Sequence, residues 1–114
     1  MKYFLSLSII LTICLGQWST SPDDPLLIGD GVQAQVKETS DGGAYIAWLS
    51  DGNNYQVYLQ HLNSDGEPQW GDGGMVVSGQ PNSSWIAVHH MNLAVDGNDN
   101  AIISTLDTRT GIWQ

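Results

Sequence analysis

Residues 41–77 read DGGAYIAWLSDGNNYQVYLQHLNSDGEPQWGDGGMVV, two apolar runs set between Asp-Gly pairs and closed by Trp70-Gly71-Asp72-Gly73-Gly74. Side chains alternate across an extended strand, so in the run 44–49 Tyr45, Ala47 and Leu49 share one face while Ile46 and Trp48 share the other. Both faces are apolar. A sheet with one wet face alternates apolar and polar residues; this strand instead requires cover on both sides, as a stacked or radial array of sheets supplies. The run 55–62 differs. Tyr55, Val57 and Leu59 lie on one side, and Gln56 and Gln60 lie with Tyr58 and Leu62 on the other, a mixture that predicts a strand nearer the edge.

The punctuation continues in both directions. Asp30-Gly31, Asp41-Gly42-Gly43, Asp51-Gly52, Asp65-Gly66, Asp72-Gly73-Gly74 and Asp96-Gly97 each mark a turn, because Asp bonds its own backbone and Gly accepts positive φ without steric cost. Short runs rich in Val, Ile, Tyr and Trp separate these turns, and no helical period is sustained. The expected fold is all-β, built from antiparallel strands.

A weaker copy of the opening stretch begins near Met91. At an offset of 57 residues Val36 falls on Leu93, Ala44 on Ala101, Tyr45 on Ile102, Ile46 on Ile103 and Leu49 on Leu106. One further residue of offset brings Tyr55-Gln56 onto Trp113-Gln114. Propeller blades are four-stranded sheets of roughly 40 to 50 residues repeated around a channel, and a somewhat longer unit needs only longer loops. The organisation read from this pattern is a signal peptide at 1–16, an N-terminal lead at 17–28, a first blade-like β-repeat at 29–80 and a truncated second one at 81–114, the opening of a longer array.

The N-terminal assignment rests on Lys2 and the nearly uniform apolar run 3–15, followed by Gly16. This is the pattern of a secretory signal cleaved after Gly16, and it is shorter than the roughly 20 residues a membrane-spanning helix needs. Ile13 stands where a lipoprotein signal would place a small residue before Cys14. Pro22 and Pro25 in the lead predict an extended segment.

Cleavage leaves 98 residues with Lys37 and Arg109 as the only Lys or Arg against twelve Asp and Glu, a balance of −10, and no cysteine. Two scattered cations cannot neutralise a run of phosphates, which excludes nucleic acid as a partner, and attraction to anionic lipid fails on the same ground. Without disulfides, stability must come from burial, which is modest for a domain this small.

The order DGG, AYIAW, YQVYLQHLNSDG, QWGDGGMVV resembles the delta-sixty type repeat and related propeller-like repeats of secreted bacterial, Bacteroidetes-like proteins. There a strand ending in Leu-Asn-x-Asp-Gly leads into an aromatic-Gly-x-Gly-Gly turn, here Leu62-Asn63-x-Asp65-Gly66 and Trp70-Gly71. The resemblance implies a repeat architecture outside the cell rather than an activity. Asp65 and Trp70 also partly resemble the Asp-box of sialidase-like propellers, although Gly66 comes one position early and Gln69 replaces the Thr. That box is a structural turn, and the arginine cluster sialidases need is missing from a chain whose mature part holds Arg109 alone.

No catalytic residue can be named. Most carboxylates stand in turns, where backbone bonding explains them, and a glycosidase pair would need a separation of about 5 to 10 Å that sequence does not supply. The adjacent His89 and His90 face opposite sides of a strand and, with His61, read as surface or rim residues. Asp96, Asn98 and Asn100 place oxygen side chains at alternate positions, with Asp107 twelve positions in, and are the candidates for calcium. However, Ala101 replaces the Gly an EF-hand needs and Asp107 its bidentate Glu; a plain hairpin turn aligned with Asp41-Gly42-Gly43 explains the segment equally. No other cofactor is expected.

Among the tryptophans, Trp48 and Trp70 read as core or turn residues, leaving Trp18, Trp85 and Trp113 as candidate ligand-binding aromatics. The expected function is that of a secreted, extracellular or cell-surface, non-enzymatic propeller-like repeat protein with a binding or structural role, whose partner is a glycan or a protein. The competing expectation is the N-terminal part of an exported polysaccharide-active enzyme whose catalytic residues lie past residue 114.

Overall fold

The computed structural model describes residues 21–50, 55–79 and 91–105. The described residues form antiparallel sheets and no helix; neither a closed barrel nor a propeller is seen. Strands β1 (Val32–Glu38), β2 (Ala44–Leu49), β3 (Val57–Leu62) and β4 (Met75–Ser78) pair in sequence order into one four-stranded sheet. A separate hairpin joins β5 (Asn92–Val95) to β6 (Ala101–Ser104).

The doubly apolar run 44–49 becomes the strand β2, in the interior of the sheet. Tyr45, Ala47 and Leu49 pair with His61, Leu59 and Val57 of β3, and directly opposed residues share a face. Tyr45, Ala47, Leu49, Val57 and Leu59 form one core with Met91 and Leu93 of the second hairpin, and Val95, Ala101 and Ile103 pack around it. That hairpin is the cover the first face requires.

The opposite face is closed differently. Trp48 stacks on Tyr58, with ring centroids 5.7 Å apart, and its indole N–H donates to the Asp30 carbonyl at 3.1 Å. The chain before β1 runs so close to this ring that a Cβ at Gly31 would stand 2.3 Å from both the Leu49 carbonyl oxygen and the Trp48 ring. Only glycine permits that approach. Asp30-Gly31, expected as a turn, therefore serves as a lid on the indole.

The strand 55–62 departs from expectation in two respects. It starts at Val57, since Tyr55 has φ 42° and lies outside the ladder. It is also an inner strand, flanked by β2 and β4. Gln60, the residue that suggested an edge, is 0% exposed. Its side-chain oxygen accepts from the N–H groups of Trp70 and His61, at 3.1 and 3.0 Å, and its amide donates to the Gly71 carbonyl at 2.7 Å. A polar side chain is tolerated inside when every group finds a partner. The irregular loop 69–71 provides most of them.

The edges are β1 and β4. β1 carries an irregularity between Val32 and Gln35, beside Gln33 at φ 54°, after which Gln35 pairs with Ala47 and so faces the second hairpin. Met75, Val76 and Val77 on β4 are exposed. Residues 21–28 contain no strand or helix. The signal segment, its cleavage point and the start of the second repeat at 81 lie outside the described residues.

Leu49 is fully buried at the centre of the core. Leu49→Ala is expected to lower the unfolding free energy by about 2–5 kcal/mol, measured by urea denaturation; a loss below 1 kcal/mol would contradict its central place.

Candidate functional site

The β1–β2 and β3–β4 connections lie at the same end of the first sheet, since successive strands run antiparallel. The β5–β6 turn docks against the first of them. All three turns share one geometry. In 39–43, 63–67 and 96–100 the first residue's N–H donates to the fifth residue's carbonyl, and the fourth residue's N–H donates to the first residue's carbonyl. The fourth residue has positive φ each time: Gly42 at 86°, Gly66 at 80° and Asp99 at 61°.

Different side chains lock this backbone. Asn63 accepts from the N–H groups of Asp65 and Glu67 and donates to the Glu67 carboxylate at 2.8 Å. Asp96 accepts from the N–H groups of Asn98 and Asn100, and its second oxygen accepts from the Asn100 amide at 2.9 Å. In the first turn Asp41, at the third position, accepts from the Thr39 hydroxyl at 2.5 Å and the Gly43 N–H at 3.0 Å. These bonds favour the charged form. The Asn100 side chain, then the N–H groups of Asn100 and Asn98, hold the Asp96 carboxyl below its ordinary range. Thr39, then the Gly43 N–H, do the same for Asp41.

The calcium candidates Asp96, Asn98 and Asn100 are thus gathered in one turn, with both Asp96 oxygens engaged by hydrogen-bond donors; Asp107 lies outside the described residues. The hairpin registers carry Asp99 onto Gly42, so the left-handed position falls at Asp99 rather than at Gly97. Asp99 also reaches across to the first turn. Its carboxylate accepts from the Ser40 N–H at 2.9 Å and from the Ser40 hydroxyl, and its carbonyl accepts from the Tyr45 hydroxyl at 2.9 Å. Beside this contact lies a cleft of about 480 Å³ lined by Glu38, Thr39, Ser40, Gly42, Val95, Asp96 and Asp99.

Next to the cleft stands an aromatic step. Tyr45 stacks on His61 with centroids 4.5 Å apart, and Trp70 leans against both, 5.7 Å from His61 and 5.9 Å from Tyr45. Trp70 is 37% exposed. Trp70, expected in a core or turn position, lies in the irregular loop 69–71 and presents part of its ring at the surface. His61, expected as a surface or rim residue, is partly buried, and its Nε2 has no hydrogen-bond partner among the described residues. The candidate aromatics Trp18, Trp85 and Trp113, with His89 and His90, lie outside the described residues.

Sequence reasoning passed over Trp70 as a contact residue and gave Gln35 no role. The Gln35 amide donates to the Met91 carbonyl at 2.5 Å, and its oxygen accepts from the Leu93 N–H at 3.0 Å. The available signal for Trp70 was the flanking Gly71, Asp72, Gly73 and Gly74, which leave an indole little to pack against.

Acidic turns beside a half-open aromatic step offer hydrogen-bond acceptors and a stacking surface, a combination suited to polar, uncharged or cationic groups and unfavourable to anions. Comparison with protein-family models, curated proteins and solved structures found no match.

A carboxyl whose pKa is lowered by folding adds stability that is present above its unfolded value of about 3.9 and lost as pH falls through the lower, folded value. The midpoint of thermal unfolding is therefore expected to drop below about pH 4, and less steeply in Asp96→Asn, which keeps an oxygen acceptor as Asn63 does in its own turn. Parallel melting curves of the two proteins against pH would test this, and identical acid dependence would remove Asp96 as a contributor.

Proposed function

We propose that this chain is a secreted, non-enzymatic β-repeat protein that binds an extracellular glycan or protein with its turn-bearing end. The observation that carries the reading is the equivalence of the two hairpins. At the offset of 57, the β1–β2 pairs Gln35↔Ala47, Val36↔Ile46, Lys37↔Tyr45 and Glu38↔Ala44 fall on the β5–β6 pairs Asn92↔Ser104, Leu93↔Ile103, Ala94↔Ile102 and Val95↔Ala101. All four pairs of the second hairpin correspond; the remaining β1–β2 pair, Val32↔Leu49, falls at this offset on residues outside the described ones. The register falls at the same offset as the sequence match, and this coincidence supports repetition; turn length and hydrogen bonding add less, because 63–67 shares them outside the repeat pair. A four-stranded meander with a like hairpin laid on its face supports the blade-like finer reading and the resemblance to propeller-like repeats of secreted bacterial proteins.

A repeat scaffold brings its turns to one rim, and loops held on rigid strands are where binding residues concentrate. On this rim Trp70, backed by His61 and Tyr45, supplies an apolar surface among acidic acceptors. Sugar rings, with apolar faces and hydroxyl edges, match it. Protein partners with Lys or Arg side chains match the acidic turns by charge.

Titration of neutral polysaccharides into the protein is expected to change tryptophan fluorescence. Trp70→Ala should weaken that binding by roughly 2- to 10-fold, the scale of one aromatic contact. Equal binding by the two proteins would remove the aromatic step from the site. No binding across a broad polysaccharide panel would overturn the glycan reading.

A further inference from the structure

Asp-Gly pairs punctuate this chain, and the same dipeptide can rearrange its own backbone. The glycine amide nitrogen attacks Cγ of the aspartic acid: a Cγ–N bond forms, the Cγ–OH bond breaks, and the hydroxyl leaves with the amide proton as water. Glycine, having no Cβ, obstructs this closure least. Water then opens the five-membered imide. Addition at Cγ restores aspartate, whereas addition at the α-carbonyl breaks its bond to nitrogen and leaves isoaspartate, whose main chain runs through the former side chain and is one methylene longer. Water is the only co-reactant.

Closure requires a carboxyl free to turn and a glycine N–H free to approach it. Four of the five described Asp-Gly pairs are held back; Asp51-Gly52 lies outside the described residues. The Asp30 carbonyl holds the Trp48 indole N–H at 3.1 Å, and Gly31 is wedged against the Trp48 ring and the Leu49 carbonyl. The Gly42 N–H is taken by the Thr39 carbonyl at 3.2 Å, and the Asp41 carboxylate by the Thr39 hydroxyl and the Gly43 N–H. Gly66 is buried, with its N–H on the Asn63 carbonyl at 3.0 Å. Both Asp96 oxygens are engaged by N–H donors of Asn98 and Asn100. The same bonds keep Asp41 and Asp96 more fully ionised, and only the protonated acid releases water. Asp72-Gly73 has none of these restraints. Both residues are exposed, neither forms a hydrogen bond among the described residues, and a Cβ at Gly73 would meet nothing within 4 Å. We propose that Asp72 is a site of spontaneous isoaspartate formation, and that the rearrangement disturbs the loop that presents Trp70.

The loop has little room for a longer main chain. One residue before Asp72, the Gly71 carbonyl accepts from the buried Gln60 amide at 2.7 Å. One residue after Gly73, Gly74 sits where a Cβ would stand 2.5 Å from the Leu59 carbonyl oxygen and 3.0 Å from the Trp48 ring. An added methylene between these anchors must displace one of them. Displacing Gly71 leaves the Gln60 amide without its partner inside the sheet, which is costly, and shifts the adjoining Trp70; displacing Gly74 uncovers Trp48. The proposal depends neither on the repeat reading nor on what the turn-bearing end binds.

Prolonged warm incubation of the full chain in mildly acidic buffer, folded and in strong urea, tests the selection. Peptide mapping with electron-transfer fragmentation tells isoaspartate from aspartate of equal mass at each pair, and the urea sample gives the rate each pair has without structure. At Asp72 the folded protein should convert at close to its urea rate. At Asp30, Asp41, Asp65 and Asp96 folding should slow conversion at least about threefold, the handicap of one hydrogen bond or contact that must first open. Protection of Asp72 equal to that of the other four would overturn the proposal. Asn100→Ala removes one donor from Asp96 and should raise conversion at Asp96 alone; an unchanged Asp96 would reject hydrogen bonding as the basis of the selection. Asp72→Glu keeps the charge but would need a six-membered imide, so it should not convert. Its thermal midpoint and tryptophan fluorescence should hold steady over the incubation in which those of wild type drift. Equal drift in the two proteins would reject the effect on the loop.

Discussion

Burial of β2 on both faces is the constraint from which the remaining architecture follows. Each large apolar side chain taken from water contributes on the order of 1.5–3 kcal/mol, and Ala44–Leu49 carries such side chains on alternate sides without a polar face. A single sheet cannot satisfy this strand. On one side Met91 and Leu93 come from far along the chain to complete the core. On the other the approach segment passes beneath Trp48, where glycine at position 31 removes the side chain that would hold it away. With one cysteine in the sequence, no disulfide can form within it, and these two covers hold the described sheets together.

The recurring turn shows that backbone geometry is conserved within the molecule while its side-chain supports are interchangeable. One five-residue hydrogen-bond pattern occurs three times. It is stabilised by Asp41 with Thr39, by Asn63 with Glu67, and by Asp96 with Asn100. An amide and a carboxylate both work at the first position because the turn asks only for an oxygen that accepts two N–H groups. This is also why a string of Asp and Asn imitates a metal loop when read linearly: alternation of oxygen-bearing residues is what this turn itself prefers.

The fold class and the central strand were legible because period-two alternation and Asp-Gly punctuation are local signals. The offset of 57 was legible as apolar coincidences, and four strand pairs of the two hairpins fall at the same offset. Gln60 was misread because its partners are backbone groups of the loop 69–71, about ten residues onward, and loop paths leave no periodic trace. Gln35 was passed over for the same reason, its partners lying 56 and 58 residues away. Trp70 was read as a core or turn residue, and its exposure in the loop 69–71 depends on how the glycines beside it leave the ring uncovered. Asp99 was hidden behind the more conspicuous Gly97, since the demand for left-handed backbone is set by the turn's hydrogen bonds rather than by where glycine happens to stand.

The strand order of the first sheet is also its sequence order, and this bears on the time course of folding. Every ladder among the described residues joins neighbours along the chain, so each closes over a short loop and at small entropic cost. Among the described residues, the contacts that reach farthest along the chain are those between the two hairpins: the packing of Met91 and Leu93 on the first sheet and the hydrogen bonds that span 54 to 59 residues. A chain emerging from its N-terminus can complete the whole meander before residue 91 exists. Its inner face then waits, uncovered, for the hairpin that closes it, and that interval is when the nascent molecule is most open to capture by other chains.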